Sequence, residues 1–403
     1  MVNKMISIFK PKKIKDFNPA GLNIYTFNAG FKKDDKDLLL IIFDKIINVC
    51  CVYSKTSTPS APIIWDKKNN KGKAKALVVN AGNANAHTGK DGLKIIDKYV
   101  KALTKKIGCK THEVLVSSTG VIGEKFNPNI IINKFEKINP KSKNSLLKSA
   151  KAIMTTDTFP KVSIININLD NQSFKIYGIA KGSGMIQPNM ATMLVYIFIE
   201  CEVSKQLMFK LLKNNLENTF NSITVDSDTS TSDTLMIFSV ANKKINLNKK
   251  NFKILNYKIY ELMHDLSLQV IKDGEGVSKL IKVNVLNSSS KIQAKKIAFS
   301  IANSPLVKTA VTGEDANWGR VIMAIGKTEE NIIQNKIKVL FGNNIVCENG
   351  SISKKINIRK LDNYMKNKII EINVNLNLGK FYHTVYGNDL TLEYLKINAD
   401  YRS

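Results

Sequence analysis

The chain has 403 residues, 43% of them hydrophobic, 23% charged and 8% aromatic, which excludes disordered, collagenous and coiled-coil proteins and leaves room for two domains, or one large layered domain with an appendage. The formal net charge of +28 invites a nucleic-acid reading, but 58 of the 61 basic residues are lysines scattered along the chain and only Arg320, Arg359 and Arg402 offer the planar fork that phosphate and base recognition favour. No stretch approaches the ~18 apolar residues of a membrane span, the longest runs being Leu38–Phe43 and Met193–Ile199, so neither membrane nor nucleic acid is an expected partner.

In chain order, Leu38–Phe43 and Ile47–Tyr53 read as a strand pair around Asp44 and Lys45. Ala76–Val79 reads as a strand running into the small-residue loop Asn80–Asn85, followed by a helix over Gly92–Ile107 whose Ile95, Ile96, Tyr99, Val100, Leu103 and Ile107 recur at helical spacing. Val114–Val116 is a brief strand entering Ser117–Gly123, and two short helices fit between Asn129 and Thr156. Val162–Leu169 and Ser173–Ala180 alternate as a hairpin. A helix is expected over Ser204–Asn221, with Leu207, Phe209, Leu211, Leu212 and Leu216 toward the core, and another over Phe252–Ile271. Leu280–Leu286 is a strand, Lys291–Asn303 a helix, and Lys336–Phe341 and Ile369–Val374 are strands. Composition places a domain boundary near residue 287, dividing the chain into 1–287 and 288–403.

The opening Met1–Gly21 lacks the apolar stretch and cleavage site of a signal peptide and the arginines of a transit peptide, so a cytoplasmic protein is expected. Five cysteines, Cys50, Cys51, Cys109, Cys201 and Cys347, show no C-x-x-C spacing, which argues against disulfides and a thiolate metal site.

The most informative segment is Gly178–Glu200. A strand ends in a turn rich in Gly, Ser, Pro and Asn, and a strongly apolar strand begins at Thr192. Gly182, Gly184 and Pro188 constrain the chain around the Ala191–Thr192 peptide. A phosphate loop would open a helix here, and the segment leads into a strand instead. A decorated hairpin satisfies the same spacing. The alternative is chemical. If the Ala191–Thr192 bond is cut, Thr192 gains a free α-amine, a built-in base beside its own hydroxyl with an ordinary pKa of about 7.7–8.0. No Ser-His-Asp order or Cys-His pair is evident among His87, His112, His264 and His383 to compete with it.

Over nearly its whole length the sequence resembles the ornithine acetyltransferases, the self-cleaving glutamate N-acetyltransferases of arginine biosynthesis. The resemblance rests on Lys181–Leu194 and eight further stretches: Asn80–Ala86, Ser117–Glu124, Thr156–Lys161, Phe220–Asp226, Asp273–Gly276, Ser304–Ala310, Asp315–Arg320 and Ile397–Ser403. It implies a layered αββα sandwich like that of the N-terminal-nucleophile hydrolases, an α/β fold, with a smaller C-terminal α/β domain whose tail returns to the active site. By position it makes Thr192 the nucleophile and Ala191–Thr192 the autoproteolytic bond, and puts the oxyanion hole at Thr119 and Gly120, whose bland role is a turn or helix cap. The substrate contacts it implies are Thr158, Lys181, Thr192, Glu275, Asn398 and Ser403. The implied reaction moves an acetyl group from N-acetylornithine to glutamate through acetyl-threonine, with no metal or bound cofactor. Acetyl-CoA as a further donor, and two copies of each fragment in a heterotetramer, belong to the same resemblance. Two departures stand out: Asp226–Asp233 carries serines where glycine and asparagine are expected, leaving the Thr224–Thr234 loop open, and Asp315–Arg320 has no assigned role beyond a structural plug. A related self-cleaving aminopeptidase, and a basic nucleic-acid-binding protein, remain as alternatives.

This reading has a direct check. Intact-mass spectrometry is expected to find fragments of 191 and 212 residues, and only the full-length polypeptide in Thr192→Ala; an uncut wild-type chain after incubation would remove the nucleophile assignment.

Overall fold

The computed structural model describes residues 5–139, 144–187, 193–241 and 243–399. Ala191, Thr192 and Ser403 lie outside them. The first strand, β1 (Leu22–Phe27), lies against β2 (Leu38–Tyr53), in which the two expected strands prove to be one 16-residue strand. Asp44 and Lys45 do not reverse the chain. The Asp44 N–H donates to Gly21 O at 3.1 Å and Lys75 Nζ reaches the carbonyls of Phe43 and Asp44, so the polar pair is satisfied while β2 runs on through an irregularity between Ile42 and Ile47.

That length lets β2 serve two halves of one sheet. Its first half pairs with β1 and with β3 (Lys73–Asn83), which follows α1 (Ala61–Asn69). The next helix, α2 (Gly89–Ile107), buries the expected Ile95, Ile96, Tyr99, Val100 and Leu103 and ends at Gly108 in the left-handed region. Then come β4 (Val114–Val121), parallel to β3, and the short helices α3 (Asn129–Phe135) and α4 (Leu146–Ala152). The hairpin is β5 (Lys161–Leu169) and β6 (Gln172–Lys181), and β7 (Leu194–Ile199) is its next neighbour. After α5 (Lys205–Asn215), β8 (Thr234–Ser239) runs parallel to β7 and pairs with the second half of β2, and α6 (Lys249–Lys272) follows. The strand order is β4-β3-β2-β8-β7-β6-β5, with β1 beside β2.

Alternation along these strands shows how the sheet folds over. Leu39, Ile41, Phe43, Leu77, Val79 and Leu115 from one half share a core with Tyr177, Ile179, Tyr196, Phe198, Met236 and Phe238 from the other. A column of rings crosses it, Phe43 on Phe238 at 5.1 Å, Phe238 on Phe198 at 5.2 Å and Phe198 on Tyr177 at 5.3 Å. Helix α4 touches both β1 and the β5–β6 hairpin, closing the open side. Outward residues Leu38, Leu40, Val78 and Val116 pack with residues of α1, α2 and α3, and Ile176, Val195, Ile197, Leu235 and Ile237 with those of α5 and α6. Helix, two sheet layers and helix make the αββα arrangement, built from a single sheet.

Helix α5 stops at Asn215 rather than Asn221, and Phe209 is 54% exposed, since the buried face is carried by Met208, Leu211 and Leu212. The second sheet starts before residue 287: β9 (Leu280–Ser288) belongs to it. Helices α7 (Lys291–Ala302), α8 (Pro305–Thr312) and α9 (Trp318–Gly326) follow. Next come β10 (Lys338–Phe341), β11 (Asn344–Glu348), β12 (Ser351–Ile352) and α10 (Ile358–Met365). The chain finishes with β13 (Ile369–Asn375), β14 (Phe381–Asn388) and α11 (Leu392–Ala399). The order is β12-β11-β10-β13-β9-β14, around a core of its own. Asp315–Arg320 joins α8 to α9: Asn317 caps α9, and Arg320 Nη1 donates to Leu306 O at 2.7 Å. Among the described residues no helix is long and apolar enough to cross a membrane.

The two units meet along β14. Thr224 N donates to Tyr386 O at 2.9 Å, and His383 Nε2 lies 3.0 Å from Ser222 Oγ. Burial, helped by Lys295 and Lys291 against Glu217, pushes the His383 pKa down to about 4. A histidine held neutral in the fold and protonated in the unfolded chain adds stability at neutral pH, and that share is lost as pH falls from the unfolded value near 6.5 toward 4. Urea titrations should therefore show wild type losing about 2 kcal/mol more than His383→Gln over this window; equal losses would mean that the imidazole does not titrate on unfolding.

Candidate active site

A cavity of about 170 Å³ opens where the ends of β4 and β6 meet across the sandwich, lined by Thr119, Gly120, Thr155, Thr156, Lys181, Met193, Ser232, Asp233, Glu275 and Asn398, among others. The end of β4 is held by the asparagine-bearing end of β3, which the sequence reads as a loop, and by the residue after it. Ser118 Oγ donates to Asn80 Oδ1 at 2.6 Å, Asn83 Nδ2 donates to Glu124 O, and Ala84 N donates to Val121 O. Gly120 has φ +130°, and a Cβ there would lie 2.2 Å from the Gly82 carbonyl carbon, so only glycine lets β4 run this close to β3.

Lys181, the last residue of β6, donates from Nζ to Thr119 Oγ1 at 3.0 Å. This one bond joins the two layers at the cavity. Burial pushes the Lys181 ammonium down, against the opposing pull of Asp157, Asp233 and Glu275. Asp233 is 2% exposed, with its carboxyl pushed well up by burial and one oxygen, Oδ2, without a hydrogen-bond partner. Thr234 N donates to Met193 O at 2.9 Å, which places Asp233 beside Met193, the residue before β7 and one beyond Thr192 in the chain.

Glu275 forms another wall. Its Oε2 accepts from Asn398 Nδ2 at 2.8 Å, its carboxyl is pushed up by burial, and it faces Gly184 so closely that a Cβ there would lie 2.5 Å from the carboxylate. Asn398 is on α11, so the end of this helix reaches the cavity.

Thr158 is placed differently from the expectation. Its hydroxyl donates to Asp273 Oδ1 and its N–H to Asp273 Oδ2 at 2.9 Å, and it lines a neighbouring cavity with Ser7, Ser183 and Glu275. Asp273 draws that hydroxyl away; Thr155 and Thr156 line the main cavity instead. The cavity thus gathers Thr119, Gly120, Lys181, Glu275 and Asn398, with Thr158 next door.

Sequence reasoning missed what holds this together. Lys161 is fully buried, with Nζ 2.6 Å from Asp157 Oδ1 and 2.5 Å from Asp273 Oδ2. Burial opposes its charge, yet the two carboxylates outweigh burial and hold its pKa up. Asp157 also accepts from Gly182 N at 2.8 Å, and Ser183 Oγ donates to Asp273 O, so the cluster fixes the turn after Lys181. Asp226 clamps the next residues, accepting from Met185 N at 2.7 Å and Ile186 N at 2.8 Å. All four charged residues fall within stretches of the resemblance; what marks them is burial, which a sequence does not display.

The ArgJ family model matches residues 23–403. The chain belongs to the ArgJ family. It is 42% identical over 406 residues to the arginine biosynthesis bifunctional protein ArgJ of Bartonella henselae, covering 99% of each chain, and 41% identical over 417 residues to that of Bradyrhizobium diazoefficiens, covering 100% of each. Among solved structures it is similar to ArgJ from Bacillus halodurans, at 31% identity over 50% of this chain and 97% of that chain, with a TM-score of 0.46.

Removing the cation of the buried cluster leaves two carboxylates facing each other out of water. Lys161→Met should cost about 3–5 kcal/mol in urea unfolding; a loss under about 1 kcal/mol would mean that the cluster does not hold the turn.

Proposed function

We propose that this protein is an acetyltransferase of arginine biosynthesis that moves the acetyl group of N-acetylornithine to glutamate through Thr192. Membership of the family over almost the entire chain carries this reading, and the cavity supports it. A cation, two acids and several neutral donors around one small space suit an α-amino acid bearing a charged side chain.

In this reading the Ala191–Thr192 bond is cut first. The Thr192 hydroxyl then attacks the acetyl carbonyl carbon of N-acetylornithine while the Thr192 α-amine takes the hydroxyl proton. The carbonyl π pair moves onto oxygen, where the Thr119 hydroxyl and the Gly120 N–H receive the negative charge; one such donor is worth about 2.7–4 kcal/mol of barrier. Lys181, donating to Thr119 Oγ1, leaves the threonine proton free to point at that oxygen. The C–N bond breaks, the ornithine nitrogen takes the proton from the amine, and ornithine departs. The neutral α-amine of glutamate attacks the acetyl-threonine ester carbon and gives one proton to the Thr192 α-amine; the C–O bond then breaks, and Thr192 Oγ takes that proton back as its hydroxyl is restored. The steps need no metal or bound cofactor. Lys181 is assigned the α-carboxylate, and Glu275 with Asn398 the far end of the substrate. Acetyl-CoA would form the same acetyl-threonine with a thiol as leaving group.

The test is acetyl transfer from N-acetylornithine to glutamate by the cleaved protein. Thr192→Ala should be inactive, and Thr119→Val should lower kcat by about 10²–10³ while fragments still form. Release of free acetate or amino acids without transfer would instead favour the aminopeptidase alternative. Acylation should rise with pH along a limb set by one amine near 7.7–8.0, or lower beside Lys181, and should survive replacement of each histidine in turn.

A further inference from the structure

The reaction asks one cavity to hold two side chains of opposite charge. Ornithine ends in an ammonium and glutamate in a carboxylate, while the α-carboxylate and α-nitrogen of the two are the same. The end that receives the side chain must therefore reverse its preference within each catalytic cycle, or favour one substrate at the other's expense.

Among the described residues, the charged ones lining the cavity are Lys181, Asp233 and Glu275. Lys181 is tied to Thr119 and Asp233 stands beside the head of β7, so both belong to the reacting end. Glu275 comes from a different element, the loop after α6, is bonded to the tail helix α11, and is 7% exposed. A side chain directed away from the reacting end meets Glu275.

We propose that Glu275 is a proton-linked selector: it is ionised when the ornithine side chain occupies the cavity, and it takes one proton from solvent when the glutamate side chain does, becoming a donor to the incoming carboxylate. The inference rests on the reading of the function given above. An ionised Glu275 pairs with the ammonium across a short desolvated contact. Left ionised, it would set two carboxylates against each other in a buried space, which proteins avoid by protonating one of them. The surroundings favour that proton relative to a carboxyl in water. Burial pushes the carboxyl up, Asp226 adds to it, and Asn398, Thr156 and Lys181 oppose. The other titratable groups around it are Tyr394 and Glu393 of α11, while Asp273, two residues earlier, is turned to Lys161. Asn398 bonds Oε2 of the carboxyl, and the Thr156 side chain also bonds it, so these neutral groups favour the ionised form.

Calorimetric affinities of L-ornithine and L-glutamate for the cleaved enzyme, without acetyl donor, isolate the effect. The two ligands share their α-groups, and their side chains hold constant charge between about pH 6 and 8.5. The ratio of the glutamate to the ornithine dissociation constant should rise with pH, toward tenfold per unit where Glu275 titrates, and glutamate binding should take up a proton that ornithine binding does not. In Glu275→Gln the ratio should lose its pH dependence and shift at least ~tenfold toward glutamate, because a neutral amide stands for the protonated acid. Asn398→Ala, which removes a donor to the ionised form, should move the wild-type transition to higher pH. A flat ratio in wild type, a slope that persists in Glu275→Gln, or a transition unmoved by Asn398→Ala overturns the proposal. Acetyl transfer that proceeds normally alongside a flat ratio removes only the selector, whereas absence of transfer removes the functional reading itself.

Discussion

The buried ion cluster of Lys161, Asp157 and Asp273 is the constraint from which the rest of the site hangs. One ammonium with no exposure to water joins the start of β5 to the end of α6, and the carboxylates that neutralise it also accept from the turn after β6 and from Thr158. Removing three charges from water is costly, and the return is geometric: a turn that must hold an unusual backbone is anchored through charge-assisted bonds at several points. The glycines of that turn cannot provide such rigidity themselves, because glycine loses more freedom on folding than any other residue.

A second dependence runs through the folded sheet. Thr119 and Lys181 are 62 residues apart, at the ends of strands in opposite layers, and they meet because β2 is long enough to pair with one half of the sheet at each end. The ring column of Phe43, Phe238, Phe198 and Tyr177 keeps the layers apart by the thickness of aromatic side chains. The cavity is the gap left at the rim. Asp226 and α11 complete it, and both depend on the second sheet, since the stretch carrying Asp226 is pinned to β14 by Thr224 and to α8 by Lys308, whose Nζ donates to Val225 O.

The charges of the site bear little relation to the charge of the molecule. Against a net +28, the described residues lining the cavity include one lysine and two acids, each shifted by burial toward its neutral form. In such a space a buried charge is costly unless it is paired, so the state of these carboxyls depends on their immediate neighbours rather than on the surface lysines.

Most of the elements were legible in the chain because they rest on local periodicity. The α2 stripe, the β5–β6 hairpin and α6 are written in spacings of 3.6 and 2, and side chains on those faces have nowhere else to go. The placement of Thr119, Gly120 and Lys181 in ordered short motifs was legible, where small or constrained residues are demanded by backbone geometry. The single strand β2 was not, because Asp44 and Lys45 look like a turn until Gly21 and Lys75 arrive from elsewhere to satisfy them. Nor was the role of Thr158, whose hydroxyl is claimed by Asp273, 115 residues away. The sequence by itself determined the periodic elements and the motifs that make the chain a member of its family; only the tertiary structure decided which motif residues share a cavity, because burial and charge pairing are set by neighbours far apart in the chain.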